Sequence, residues 1–177
     1  AKLDEIYKQQ KRNVVLDSGC GKGDSTHNLA RRHPDALIIG IDKSEKRLEK
    51  FIRHDDIYHK DNVVLVRADL IDLWRLIPTA KWKIKKHYLL YPNPWPKKDQ
   101  FKRRWHGHPV FPEMISLCDS IELRTNWKIY AEEFQRALEI VSGKTALLEI
   151  IETEHFISAF EKKYYESGQI LYKVILE

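Results

Sequence analysis

Three aspartates and three glycines fall in an order that can hold a nucleoside. The stretch Asp17-Ser18-Gly19-Cys20-Gly21-Lys22-Gly23-Asp24 sets glycine at every second position, as a backbone that turns tightly and closely approaches a ligand requires. An apolar run, residues 13–17, leads in, and a helix opens behind it, where backbone amides receive polar or anionic groups. Asp42 ends a second apolar run, 19 residues after Gly23, and a carboxylate there can accept both ribose hydroxyl protons. Asp69 ends a third such run. The plainer reading is a tight strand-to-helix turn with Asp17 facing the helix. A dinucleotide fingerprint, G-x-G-x-x-G, fails because position 24 is Asp. Cys20 has no His/Asn arrangement around it and reads as a small turn residue, not a nucleophile.

A second string, Leu90-Tyr91-Pro92-Asn93-Pro94-Trp95-Pro96-Lys97-Lys98 followed by Lys102-Arg103-Arg104, suits a different task. Prolines stiffen the backbone and present Trp95, whose ring can stack a nucleobase at about 1–3 kcal/mol or simply pack on a sheet edge. Lys97, Lys98, Arg103 and Arg104 can neutralise phosphates, which fixes register without reading sequence. Between Lys81 and His108 stand nine Lys or Arg and one acid, Asp99, a local +8 in a chain whose total is +5. A basic stripe on an otherwise acidic body is the footprint of a polyanion partner; a merely solvated loop is the alternative. Repulsion among these cations predicts that residues 94–108 are mobile in the free protein. His106 and His108 flank Gly107 as a metal pair would, but no acid stands beside them. Loop histidines near RNA are the preferred reading, and no metal site is expected.

The elements that must position these residues alternate. Strand-like runs at 13–17, 36–42, 62–69 and 85–92 are apolar on both faces, and helical patterns separate them: Asp24 or Ser25 capping a helix to Arg32, Ser44 capping one with Leu48, Phe51 and Ile52, and a short one at 70–77. A short helix around 112–117, a strand at 120–125, a helix at 127–141 with a Trp127–Tyr130–Ala131–Phe134–Leu138–Val141 stripe, a strand at 145–151, a helix to Tyr165 and a last strand at 169–176 complete the series. Alternation of this kind implies βαβ units, a parallel sheet and one α/β domain over 1–177. The direction of the last strand is not fixed by pattern.

Composition narrows the classes. The 177 residues are 42% hydrophobic and 32% charged, an ordinary globular balance. No run of about 18 apolar residues predicts a membrane span, and AKLDEIYKQQ has no apolar signal region. Two cysteines fit a reducing, cytoplasmic setting rather than a disulfide framework.

An acid two residues before G-x-G-x-G resembles motif I of S-adenosylmethionine-dependent methyltransferases. The proline–tryptophan string resembles the F-P-D-P-W-P-K-K…K-R-R signature of bacterial tRNA (guanine-N7)-methyltransferases. Leu123-Arg124-Thr125-Asn126-Trp127-Lys128-Ile129-Tyr130 is similar to that family's T-D-x-x-x-Y element, and Ser158-Ala159-Phe160-Glu161 with Glu166-Ser167-Gly168 to its T-x-F-E…G element. The likeness runs from about residue 13 to 177, behind a shorter N-terminal lead than the family usually carries. It implies a Rossmann-like class I methyltransferase with a seven-stranded, mostly parallel sheet and helices on both faces. It implies S-adenosylmethionine as cofactor, S-adenosylhomocysteine as product and tRNA as partner, with a monomer and a homodimer both open.

Under that resemblance Asp17, Gly19, Gly21, Gly23, Asp42, Asp69 and Asn93 line the cofactor: Asp17 near its methionine part, Asp42 on the ribose, Asp69 on the adenine. Lys97, Asn126, Ser158 and Glu161 face the guanine, beside Trp95, Lys98, Arg103 and Arg104, and Asn93 and Asn126 occupy the catalytic positions. Without the resemblance, Asn126 reads as a helix cap, and Glu161 as a surface charge. Guanine N7 carries a free lone pair and no proton, so attack on a sulfonium methyl needs orientation and no general base. The family's Asp is Asn at 93 and 126, and its Thr is Ser158. Asn keeps an acceptor oxygen, loses the charge and gains a donor, and charge-assisted hydrogen bonds are about twice as strong. Two other readings follow: methylation of an exocyclic amine, from the Asn93-Pro94-Trp95 likeness to an Asn-Pro-Pro-aromatic element, and a catalytically weak RNA-binding paralogue.

Overall fold

A computed structural model of the protein describes residues 2–53, 55–152 and 155–177. The chain divides into two compact units, one ending at Tyr88 and the other beginning at Leu89.

The first unit holds α1 (Lys2–Gln10), β1 (Val14–Ser18), α2 (Asp24–Arg32), β2 (Leu37–Asp42), α3 (Glu45–Leu48), β3 (Ile57–Lys60), β4 (Val63–Arg67), α4 (Leu70–Ala80) and most of β5 (Ile84–Leu90), with strands in the order β3-β4-β2-β1-β5. β1 runs parallel to β2, with Asp17 beside Gly40, and β2 runs parallel to β4. Every residue of β1 and β2 is buried, as a sheet covered on both faces requires. Successive side chains of β1 point to opposite faces. Asp17 reaches Ser25 and Thr26 of α2, whereas Ser18 reaches Trp74 of α4, so these two helices cover the two faces.

Two close approaches set this packing. A Cβ on Gly40 would stand 2.2 Å from the Thr26 hydroxyl oxygen and 2.9 Å from a Leu65 methyl, so only glycine lets α2 lie this near β2. On the other face, Ser18 Oγ lies 2.7 Å from His87 Nε2 and accepts from Trp74 Nε1 at 3.2 Å. His87 is wholly buried beneath the Trp74 ring edge, its Nδ1 has no partner, and burial pushes its pKa down to about 3.

The second unit takes the end of β5 and adds α5 (Phe111–Ile115), β6 (Ile121–Thr125), α6 (Lys128–Ser142), β7 (Leu147–Ile150), α7 (Ala159–Glu166) and β8 (Tyr172–Leu176), in the order β5-β6-β8-β7. β8 is antiparallel to both β6 and β7. Tyr130, Ala131, Phe134 and Leu138 form the buried stripe of α6, and Gly143, at φ 70°, closes the helix by donating its N–H to Glu139 O.

Four expectations change. Among the described residues the strands number eight, not seven: β3, antiparallel to β4, is an edge strand whose IYHK sequence lacks an apolar face. The helix after Ser44 is a single turn, because the Phe51 and Ile52 amides both fold back onto Leu48 O. Gly23 stands at the start of α2 in place of a side-chain cap, because the Ser25 hydroxyl goes to Asp17. Trp127 and Val141 lie 40% and 43% exposed at the ends of the α6 stripe.

Gly40→Ala is expected to lower stability by about 1–3 kcal/mol through overpacking, read by urea denaturation. His87 gives a second expectation. The native ring refuses the proton that an unfolded histidine takes up near pH 6.5, so its share of stability is lost as pH falls below about 6.5 toward 3. His87→Gln should reduce the stability difference between pH 7 and pH 5 by about 2 kcal/mol; an unchanged difference refutes a buried neutral histidine.

Candidate functional site

In the first unit, the chain leaves β1 through three left-handed glycines, at φ 84°, 59° and 86° for Gly19, Gly21 and Gly23, a region costly for other residues. The Gly19 and Cys20 amides donate to Ile41 O at 2.8 and 3.0 Å, which ties the loop to the end of β2. Asp42 lies one residue further. Its Oδ2 accepts from the Gly21 amide at 3.0 Å and from Arg47 at 3.2 Å, and its Oδ1 accepts from the Ser44 amide at 2.8 Å. A carboxylate offers about four lone-pair directions. Of the three in use, that to the largely exposed Arg47 is the one a ligand hydroxyl can replace.

Asp17 is fully buried. Its Oδ2 accepts from Ser25 Oγ at 2.6 Å and Thr26 Oγ1 at 2.7 Å, and its Oδ1 has no partner. Burial raises its pKa to about 6 against the pull of the two hydroxyls, and the Asp42 charge adds to the rise. An unpartnered buried oxygen of this kind is costly and invites a donor or a cation. Cys20 is buried, and its thiol is pushed well up by burial and by Asp17 and Asp42, so no thiolate forms near neutral pH. Asp69 caps α4, accepting from the Ile71 amide at 2.9 Å.

In the second unit, two bulky residues hold left-handed backbone, Tyr91 at φ 54° and Trp95 at φ 46°, on either side of Pro92-Asn93-Pro94. Such residues cost roughly 1–3 kcal/mol each and persist only where the surroundings enforce them. Two networks do so. Tyr91 takes Arg124 O through its amide at 2.8 Å and gives its hydroxyl to Glu161 Oε2 at 3.2 Å. Burial and the Glu161 charge raise that phenol far above its ordinary range. Arg124 in turn bridges Glu122 at 2.7 Å and Glu161 at 2.9 and 3.1 Å. At the other end, Arg104 donates to Trp95 O at 3.1 Å and to Glu133, whose Oε2 also lies 2.9 Å from His106 Nε2. Arg103 lies over the Trp95 ring, 4.9 Å from its centre.

The sequence-predicted residues therefore divide. Asp17, Gly19, Gly21, Gly23 and Asp42 come together in one loop cluster of the first unit. Asn93, Lys97, Lys98 and Arg103 are exposed around Trp95. Arg104 is an internal anchor with its side chain 11% exposed, not a surface cation. Ser158 caps α7 by accepting from the Glu161 amide at 3.1 Å. Glu161 is completely buried, its carboxylate taken by Arg124, Tyr91 and the Ile157 amide; it is not a surface charge. Asn126 donates to Gln169 Oε1 at 2.6 Å, and Trp127 stands at the helix cap in its place. Residues 98–107 form two 3-10 turns, Lys98–Arg103 and Trp105–Gly107, and of the cations in this stretch Arg104 is paired, with Glu133. His106 is buried against Tyr130, 4.7 Å between ring centres, and among the described residues no His/Cys/Asp/Glu group could hold a metal. Sequence reasoning misses the roles of Ser25, Thr26, Tyr91, Arg124 and Glu133: it offers Ser25 only as a helix cap, Tyr91 and Arg124 only as members of quoted motifs, and Thr26 and Glu133 not at all.

Residues 11–174 match a family model described as "Putative methyltransferase". Among similar curated proteins, the tRNA (guanine-N(7)-)-methyltransferase of Alkaliphilus oremlandii is 26% identical over 96% of this chain and 83% of its own length. The protein of that name from Aquifex aeolicus is 27% identical over 96% of this chain, which spans 60% of it. Solved structures agree in fold: an antibiotic-related methyltransferase has a TM-score of 0.67 at 20% identity, covering 97% of this chain and 92% of that one. A mutant 16S rRNA (adenine(1408)-N(1))-methyltransferase from Catenulisporales acidiphilia, solved with cosubstrate SAM, has a TM-score of 0.63 at 18% identity, covering 98% and 88%. Family match, glycine loop and Rossmann-like α/β fold coincide, and the chain belongs to this methyltransferase family.

Proposed function

We propose that the protein transfers a methyl group from S-adenosylmethionine to N7 of a guanine in tRNA, as one methyltransferase domain over residues 1–177 acting in the cytoplasm. The observation that carries the reading is the loop cluster of the first unit, where buried Asp17 keeps one oxygen without a partner and Asp42 keeps one exchangeable bond. Names of the curated relatives support the choice of tRNA and N7. Among the described residues no helix is long and apolar enough to cross a membrane.

The residues present fit the cofactor. Asp17 Oδ1 would take the positive amino group of its methionine part, Asp42 the ribose hydroxyls in exchange for Arg47, and the three glycines the close approach of backbone to ligand. Asp69, already capping α4, would meet the adenine edge. When bound, the cofactor supplies an electrophilic methyl on a sulfonium sulfur. Guanine N7 contributes a lone pair and loses no proton, so this chain's residues need only orient and desolvate. Trp95, with Arg103 on its ring, offers a surface for a base; Lys97 and Lys98 meet phosphates. Asn93 and Asn126 supply amide acceptors to the guanine's N–H donors, neutral bonds in place of charge-assisted ones. Ser158 holds the start of α7, and Glu161 holds Tyr91.

Isothermal titration with S-adenosylhomocysteine should show binding, weakened at least tenfold by Asp42→Ala; no binding to folded protein overturns the reading. The pH dependence is specific. An ionised Asp17 must meet the cationic amino group, so affinity should fall about tenfold per pH unit below about 6, and Asp17→Asn should flatten that profile. Mass spectrometry of digested tRNA after reaction should give N7-methylguanosine. N2-methylguanosine, N6-methyladenosine or no methylation despite RNA binding would decide for an exocyclic-amine enzyme or a non-catalytic binder.

A further inference from the structure

The +8 stripe of the sequence is divided by β5. Its later cations lie in the turns around Trp95, beyond the carboxyl end of that strand. Lys81, Lys83 and Lys85 lie at its amino end, and there they meet cations from elsewhere in the first unit. The amides and carbonyls stitch four strand starts together: Val14 N donates to Lys83 O, Leu37 N to Asn13 O and Ile38 N to Asn62 O, each at 2.8 Å. Asn62 Nδ2 adds bonds to Ala30 O, His33 O and Ala36 O. The segments so joined are 11–13, 31–36, 59–62 and 81–85. They hold eight Lys or Arg against two acids, Asp35 and Asp61, a net +6 that exceeds the +5 of the whole chain.

We propose that this amino edge of the first unit's sheet is a second binding surface for the phosphate backbone of the RNA substrate, remote from the methyl-transfer loop. The inference rests on the tRNA reading above and adds a site to it. Lys11, Arg12, Arg31, Arg32, Lys60 and the three lysines of 81–85 are exposed. Local acids offset little: Asp35 pairs with Lys85 at 3.0 Å, and Asp4, which Trp82 reaches, pairs with Lys8. Neighbouring strands are about 4.8 Å apart, so four strand starts spread these cations over about 15 Å, a length matched to several phosphates. Strands of five or six residues separate this edge from the glycine loop by about 15–20 Å. An RNA held there is held by its backbone at a distance from the modified base. Trp82, the aromatic among these cations, is committed to Asp4 and Tyr7, so the surface presents charge without a stacking platform. It would set position and affinity and read no sequence.

The test is a triple variant, Arg31→Gln with Lys60→Gln and Lys83→Gln, none of them in the loop cluster. Binding of whole tRNA and of a short hairpin carrying the target guanine is measured across about 50–200 mM salt. The expected result is a loss of at least tenfold in tRNA affinity and a salt dependence shallower by about 2–3 units of log–log slope. Hairpin binding, S-adenosylhomocysteine affinity and the single-turnover rate at saturating tRNA should be unchanged. Wild-type protein that binds tRNA no more tightly than the variant, with the same salt slope, overturns the second surface and leaves the tRNA reading standing. Wild-type protein that binds no tRNA overturns both. A variant that loses binding to phosphatidylserine vesicles or to an acidic protein while keeping its tRNA affinity also refutes the proposal.

Discussion

A strand covered on both faces has no water to offer a polar side chain, and β1 ends in two of them. Asp17 and Ser18 are adjacent, buried and turned to opposite sides of the sheet. Each must find hydrogen bonds inside the protein or in a ligand. Ser18 is satisfied by Trp74 and by the His87 side chain of neighbouring β5, which locks α4 onto one face. Asp17 is satisfied by half: α2 fills one oxygen, and the other waits. The fold thus spends one polar residue on rigidity and keeps its neighbour under-coordinated, in the place where a nucleoside-type ligand must meet the sheet. Gly40 is part of the same arrangement, because Thr26 reaches Asp17 only if β2 presents no side chain there.

The second unit handles its constraint differently. Its prolines limit the backbone at positions 92, 94 and 96 but cannot by themselves force Tyr91 and Trp95 into left-handed conformations. Side chains far along the chain do that, Arg124 with Glu161 at one end and Arg104 with Glu133 at the other. A loop that would otherwise relax is held with its tryptophan and amide presented. A base bound there, as proposed above, would not have to order these residues.

Much of this was legible in the sequence where local chemistry is decisive. Left-handed turns demand glycine, so the 19–23 loop could be read directly, and a carboxylate at a strand end marks Asp42 because parallel sheets bind ligands at that edge. Residues whose partners lie far away could not be read. Arg104 looks like one more phosphate contact until Glu133, 29 residues on, is placed beside it. Glu161 reads as a surface or substrate-facing acid until Arg124, 37 residues earlier, is found against it. β3 escaped because a half-exposed edge strand needs no apolar pattern. Its length of four residues gives periodicity nothing to work with.

The buried group of Arg124, Glu122, Glu161 and Tyr91 has a consequence for how such a sequence can change over generations. One cation is shared by two carboxylates, and a phenol completes the set. Removing Arg124 leaves two buried carboxylates without their cation, a loss of several kcal/mol, and removing Glu161 takes from the Tyr91 hydroxyl its acceptor. Their effects are therefore strongly non-additive. A lineage can pass between this arrangement and one with phenylalanine in place of Tyr91 most easily if position 161 and its neighbours drift together. The four positions should be inherited as a block, and a substitution tolerated in one descendant would be rejected when moved alone into another.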